Sequence, residues 1–555
     1  MSDFLHGVET IVIAQGARTI EESKTAVVGI VGTAPIFETA AADRPAVNVP
    51  TLLLNDVNMA KFGSERAGYS IPEALAAFDS GPIIAVNVFD PAVHKTANVS
   101  PITNESHTFP AGDTVTLDHT KVSSVVVKSS DGNTTYQTPR DYTVVEATGV
   151  ITRVAEGSGG TIPALATVKV DYAYAVTAAF NTDDEIDLGH VGITGLVVKS
   201  SDGVTTYDID DDYTYDEATG IVTRVSDGDI AAEATVRVAF NYADPSKVVA
   251  ADIIGTVDGS GNRTGMQALL DSFSKFGFNP KIIIAPGYSS EATVRAAMQT
   301  VCASLKAVGY VDGETGWTFA EALAARGEAS NVFNTSDKRT MLCFPKVKAA
   351  DPVAGGTKLV PYSAYLAAAR ARKDRTNGYW WSTSNTELSG VVGMERNLTA
   401  SINDPNSEVN QLNAAGIVTI FNSFGTGYKA WGNRNASYPT STASDSFECV
   451  LRVGDVIEEA VEKYAAQYSD NPIDVMIEGV IEGVNAFLRK RTGKGNPLAG
   501  GRCYFEPSAN DATDLAAGHI TFDYDMAAIP PAERITFRRR VNIQYLTDLT
   551  AELAE

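Results

Sequence analysis

At 555 residues the chain exceeds what a single hydrophobic core supports, so several domains are expected. Its composition, 44% hydrophobic and 20% charged, excludes general disorder, and a net charge of −24 excludes nucleic-acid backbone binding as its main activity. The opening MSDFLHGVETIVIAQ lacks the basic start and long apolar core of a secretory signal, and no apolar run nears the roughly 20 residues that span a bilayer. The cysteines Cys302, Cys343, Cys449 and Cys503 are far apart and form no CxxC, so they read as reduced core thiols of a protein folded in a cytoplasm. With six histidines and none beside a cysteine pair, no zinc site is expected.

In chain order, TAVVGIVGTA (25–34) and GPIIAVNVF (81–89) have the near-continuous apolar character of strands covered on both faces of a parallel sheet. A duplication follows. VVVKSSDGNTTYQTPRDYTVVEATGVITRV (125–154) recurs as LVVKSSDGVTTYDIDDDYTYDEATGIVTRV (196–225), offset by 71 residues. Leu117 and His119 answer Leu188 and His190, and ATVKVDYAY (166–174) answers ATVRVAFNY (234–242). Short alternating runs broken by Asp-Gly and Ala-Thr-Gly predict hairpins, hence two tandem all-β sandwich modules of about 70 residues each. Residues 101–245 carry 23 acidic against 8 basic residues, a balance of −15, while the other 410 residues share −9. The insert is therefore expected to face solvent as a separate acidic unit. DIDDDY (208–213) lacks the glycine and glutamate of a calcium loop and reads as a solvated turn, outside the module's design because the first copy has QTPRDY.

After the insert, a helix is predicted over 263–278, a strand over 280–286, and a helix over 289–308 that opens on a serine cap. TMLCFP (340–345), a helix through 363–374 and AGIVTIFN (415–422) continue the alternation of an α/β layered domain. A smaller α+β region adds helices over 450–467 and 473–491, then strands over 501–507 and 518–526. IPPAE (529–533) breaks the chain before a last alternating run. There Ile535, Phe537, Val541, Ile543 and Tyr545 share one face, with Arg539 among them as the mismatch, and Thr536, Arg538, Arg540, Asn542 and Gln544 share the other. A long half-apolar strand at a terminus needs a sheet to receive it, its own or another chain's.

Catalytic signatures are weak. GTVDGSGNRTG (255–265) precedes a helix but lacks the Lys-Ser/Thr of a phosphate loop, and no ribose-binding acid follows at the right distance. The histidines weighed for a Ser-His-Asp triad are His6, His94 and His519, and no GxSxG accompanies them. The aromatic stretches NGYWWSTSN (377–385) and GYKAWGNRNA (427–436) read as packing beside loops, the alternative being rings that stack on a sugar or base. The cationic run Arg489, Lys490, Arg491 and Lys494 either complements a helix C-terminus or docks an acidic partner.

FLHGVETIVIAQGARTIEESKTAVVGIVGTAP, DIIGTVDGSGNRTGMQALL, GIVTIFNSFGTGYKAWGNRNAS and AAGHITFDYDMAAIPPAERITFRRRVNIQYL, in this order and spacing, resemble the tail sheath proteins of contractile bacteriophages and R-type pyocins. The resemblance covers nearly the whole chain apart from the insert. It implies a structural, non-enzymatic subunit without cofactors, whose layered α/β core is subtilisin-like but lacks the triad. It implies an extended N-terminal arm (1–20), core parts at 21–98 and 244–436, an α+β domain at 437–530 and a C-terminal arm strand at 531–555, around the inserted repeats that the duplication places at 99–176 and 177–243. In this family the arms add strands to neighbouring subunits, here through Val8, Thr10 and Val12 at one end and Ile535, Phe537, Arg539, Val541, Ile543 and Tyr545 at the other, while linkers 16–24 and 529–533 let the core move. Implied partners are further copies of the chain, the inner tail tube, with Arg489, Lys490, Arg491 and Lys494 as candidate tube contacts, and the baseplate and tail terminator proteins. Neither nucleic acid nor membrane insertion is implied, and the location is the virion tail, assembled in the host cytoplasm. A surface adhesin or decoration protein acting through the β repeats is the main alternative, and a subtilisin-type enzyme the third.

Overall fold

The computed structural model describes residues 20, 22–120, 122–217, 219–422 and 427–553; Val8, Thr10 and Val12 lie outside them. Val28–Gly32 and Ile83–Asn87 are strands buried along their whole length, as their unbroken apolar sequence requires. They pair in parallel, Val28 opposite Ile83, and the other edge of Val28–Gly32 takes Ile282–Ile284. Val308–Asp312, Thr340–Cys343 and Ile417–Phe421 extend the sheet, all parallel. Antiparallel strands close both ends: Thr51–Leu53 at one, Lys429–Trp431 and Thr386–Glu387 at the other.

Each face of this nine-stranded sheet has its own apolar layer. The helices Ser70–Leu75 and Tyr362–Thr376 cover one face through Ile71, Leu75, Leu366 and a run of alanines. The helix Ala292–Leu305 covers the other through Val294, Met298, Val301 and Leu305. The helix predicted over 263–278 is split into a 3-10 turn, Gly265–Asp271, and one α-turn, Ser272–Phe276, ended by Gly277 in the left-handed conformation. The predicted serine cap is absent too. The next helix begins at Ala292, and Ser289 instead donates its hydroxyl to the buried Asp312 carboxylate at 3.0 Å, a tertiary partner invisible to a local pattern.

The insert departs from two separate beads. The strand Thr167–Ala179 pairs with Val99–Thr108 and Val122–Ser129 in the first repeat, and its last residues pair with Thr235–Ala243 in the second. The boundary expected between 176 and 177 therefore falls inside one continuous strand. Each repeat keeps its own core, around Phe109, Val127, Tyr142 and Ile151 in one and Phe180, Val198, Tyr213 and Val222 in the other. Duplication reaches the side chains: Arg153 pairs with Asp113 and Arg224 with Asp184, both at 2.8 Å, and His119 and His190 stack on Tyr174 and Tyr242. Asp212 of the acidic cluster is part of the design, contrary to expectation. Its carboxylate accepts the backbone N–H groups of Asp208 and Asp229, and its equivalent Asp141 accepts those of Gln137 and Thr161. The second repeat touches the body, where Arg44 meets Glu217 at 2.8 Å and Val191 packs against the layer containing Phe37.

The C-terminal region stacks the helices Glu448–Ala465 and Ile473–Lys490 against a two-stranded sheet, Leu498–Tyr504 with Asp523–Ala528. The strand expected over 518–526 thus begins only at Asp523. From Ile529 to Asn542 the chain has no strand partner among the described residues, and Gln544–Glu552 is a helix. Tyr545 accordingly belongs to that helix and not to the terminal strand. The alternation ran smoothly into Tyr545 and hid the helical spacing of Tyr545, Leu546, Leu549 and Leu553.

Candidate functional site: the roots of the terminal arms

The two terminal segments start from a charged seam between the α/β body and the C-terminal region. Glu448, Arg452, Asp455, Glu459 and Glu462 recur every three or four residues along Glu448–Ala465, which puts them in one stripe. Tyr310 donates its hydroxyl to Glu448 Oε1 at 2.6 Å, and Arg452 donates to both oxygens of Asp374, at 2.9 and 2.5 Å. Arg339 grips Asp455 with two bonds of 2.6 and 2.7 Å. Lys281 pairs with Glu459, and Lys306 reaches Glu462 at 2.7 Å and Glu458 at 3.2 Å. Lys281, Lys306 and Arg339 stand at the entries to Ile282–Ile284, Val308–Asp312 and Thr340–Cys343, so one helix clamps the amino ends of three central strands.

Burial sets the electrostatics of this seam. It would by itself raise the Asp374 carboxyl, yet Arg370 and Arg452 together hold it below the usual carboxylate range. Burial also lowers the Lys281 ammonium, partly offset by Glu459. For Arg339 the bond to Asp455 wins over burial and raises the guanidinium.

The N-terminal root lies in the same seam. Glu22 pairs with Arg491 at 2.6 Å and accepts the Tyr379 hydroxyl at 3.0 Å. Ser23 bonds to Glu459 and accepts from Lys463 at 2.7 Å, while the Thr25 carbonyl accepts from Arg452 at 2.9 Å. At the other end, Ile529 donates its N–H to the Pro497 carbonyl at 3.0 Å. Arg434 then holds both oxygens of Glu533, at 3.1 and 2.7 Å, with its guanidinium 3.5 Å above the Phe447 ring. Past Glu533 the chain enters solvent: Phe537 is 91% exposed, and Ile535, Val541, Ile543 and Tyr545 are also exposed. Arg539 is exposed with them and forms no ion pair among the described residues of its own subunit.

Arg489, Lys490 and Lys494 are exposed, but Arg491 is drawn onto Glu22 and drops out of the expected cationic patch. The aromatic stretches are packing and anchorage. Tyr379 is buried and holds Glu22, Trp431 stacks on Phe421 with ring centres 4.5 Å apart, and Arg434 holds Glu533. His94 lies between Asp90 and Asp252 and stacks on Phe89, while His119 bonds to the Tyr172 hydroxyl; both serve as structural side chains. Sequence reasoning missed Glu22, Arg434, Glu533 and the charged stripe. Only the stripe had a local signal, its spacing of three and four residues.

Large apolar side chains at 535–546 stand in solvent, outside the packed cores, and exposed apolar patches of this kind are a feature of interaction surfaces. A family model described as the phage tail sheath protein central domain matches residues 261–436, and one described as a protein of unknown function matches 92–182. The tail sheath protein of Burkholderia phage BcepMu is 39% identical over 554 residues, covering 99% of both chains. A putative prophage major tail sheath protein of Pseudomonas aeruginosa is 32% identical over 57% of this chain and 78% of its own, and the tail sheath protein of Escherichia phage P2 is 30% identical over 54% and 73%. Among solved structures, the contracted PVC sheath of an extracellular contractile injection system aligns at 19% identity and TM-score 0.42, over 51% of this chain and 76% of that one. The chain belongs to the contractile bacteriophage tail sheath proteins, as a structural subunit. The whole-chain match includes the α/β body, which an adhesin acting through the β repeats left unexplained.

Proposed function

We propose that the subunit polymerises around the inner tail tube by donating its terminal strands to neighbouring copies, and that shortening of this lattice drives the tube through the host envelope. One observation carries the reading: residues 534–543 lie in no helix or strand, with Ile535, Phe537, Val541 and Ile543 in solvent and no strand partner among the described residues. Strand addition supplies backbone pairing and a register set by alternate side chains. The receiving site is the sheet Leu498–Tyr504 with Asp523–Ala528, because two strands alone are marginal and gain from added neighbours. Residues Val8, Thr10 and Val12 act in the same way from the N-terminus. Arg539 then pairs with a carboxylate of the receiving subunit, since a buried unpaired charge is costly.

Arg489, Lys490 and Lys494 supply salt-sensitive contacts to the tube, which can be released as the lattice moves. The subtilisin-like layered core acts as a rigid block, the sandwich repeats point outward into solvent, and baseplate and terminator proteins bound the lattice, which is assembled in the host cytoplasm. Truncation after Glu533 tests the central claim. It is expected to leave a soluble, folded subunit that forms no tubes in electron micrographs. Phe537→Asp with Ile543→Asp should reproduce the truncation, and Thr536→Asp with Asn542→Asp should be milder. A truncated subunit that still forms tubes, or that unfolds, overturns strand donation.

A further inference from the structure

The segment 529–533 reads in the sequence as the linker on which the C-terminal arm swings, but it is fastened at both ends. Ile529 is bonded to the Pro497 carbonyl at 3.0 Å, Pro530 and Pro531 fix their own backbone angles, and Glu533 is held through both oxygens by Arg434. Arg434 is itself immobilised. Its guanidinium lies 3.5 Å over Phe447 and 4.7 Å from Tyr438, it donates to Ser446 Oγ at 2.5 Å, and its side chain is only 15% exposed. From Arg534 to Ile543 no comparable anchor follows among the described residues, and the next apolar residue, Ile535, is already in solvent.

We infer that Arg434 and Glu533 form a launching clamp: the C-terminal arm is rigidly part of the subunit through Glu533, and its hinge begins at Arg534. The inference rests on the strand-donation reading and adds where the moving part starts and what aims it. Glu22, held by Arg491 and Tyr379, is the matching clamp for the N-terminal arm. Both are carboxylates gripped by an arginine of the C-terminal half, so the chain is fixed at the root of each proposed arm. A clamped root presents the arm in a narrow range of directions, and a released root spends most of its time away from the neighbour's sheet, which lowers its effective concentration there. Arg434 and Glu533 are thus positioning residues, acting on assembly through the aim of residues 534–543.

Glu533 has a side chain 45% exposed, so breaking the pair should leave the fold nearly as stable as before, and assembly can be read separately. Glu533→Arg and Arg434→Glu alone are each expected to raise the critical concentration for tube formation about tenfold, and the combined swap to restore most of it. The aim is read directly in unassembled subunits. Spin labels at Thr536→Cys and Ser441→Cys should give one narrow distance in the native background, broadened by Glu533→Gln, while the melting temperature stays within a few degrees. The native cysteines are buried, which keeps labelling selective. Unchanged assembly and an unchanged distance distribution in Glu533→Gln and Glu533→Arg would overturn the clamp, and so would a swap that fails to rescue folded single variants. Loss of strand donation itself shows elsewhere, in a truncation after Glu533 that still polymerises.

Discussion

Asp374 shows what a single residue does at the seam. It lies buried between Arg370 on its own helix and Arg452 on Glu448–Ala465, and so ties the body to the C-terminal region. Replacing it by Asn leaves the buried Arg370 and Arg452 with only the more distant Glu448 as counter-ion, and Asp374→Asn should cost about 3–5 kcal/mol in denaturant unfolding. The pH dependence has a definite sign. The Asp374 carboxyl is depressed in the folded state, so its contribution is complete above the unfolded value of about 4 and is lost as pH falls through the lower folded value. Asp312 runs the other way, since burial raises its carboxyl in spite of bonds from Ser363 and Ser289, and its protonation relieves the fold in acid. Stability measured between about pH 5 and 2 should therefore fall less steeply in Asp374→Asn than in the native protein, and more steeply in Asp312→Asn.

At the scale of the element, the helix Glu448–Ala465 combines two roles that usually occupy opposite faces. Val453, Val456, Ile457 and Ala460 pack into the C-terminal core, while the acidic stripe receives cations from the body. The pairs along the stripe are unequal because their solvent exposure differs. Asp455 is 7% exposed and held by two bonds from Arg339, whereas Glu462 is 66% exposed. Asp455→Asn is expected to cost about 3 kcal/mol, and Glu462→Gln less than about 1 kcal/mol, in the same denaturant titration. Equal losses would mean that the stripe acts by net charge and not by buried pairing.

For the whole molecule, the insert is joined to the body at a natural hairpin. Asn98 donates its N–H to the Phe240 carbonyl at 2.7 Å, and Lys95–Ala97 pairs with the end of Thr235–Ala243. A cut removing 101–243 would delete Ala243 from the body's apolar layer, so the clean variant replaces 99–239 by a short turn. It loses the Arg44–Glu217 pair and the cover that Val191 gives near Phe37, a cost of about 1–3 kcal/mol. This variant should remain soluble and form tubes visible by electron microscopy. Aggregates or monomers from it, under conditions where the full chain forms tubes, would make the insert part of the lattice.

The sequence by itself determined the layered α/β body, the duplicated acidic β insert, the two C-terminal helices and the family. These rest on local periodicity, on a repeat long enough to align, and on the order of motifs along the chain. The unbroken runs at Val28–Gly32 and Ile83–Asn87 can only be strands covered on both faces. The exposed apolar face of Ile535, Phe537, Val541 and Ile543 was legible for the same reason. Only the tertiary structure decided that Thr167–Ala179 runs through both repeats, that Arg491 belongs to Glu22 and Arg434 to Glu533, and that the proline-containing linker is fastened. Those pairs span from 99 to 469 residues of chain, and a charge carries no mark of its partner in the residues around it. A lone carboxylate at a chain's point of departure looks like any solvated acid until the fold brings an arginine to it.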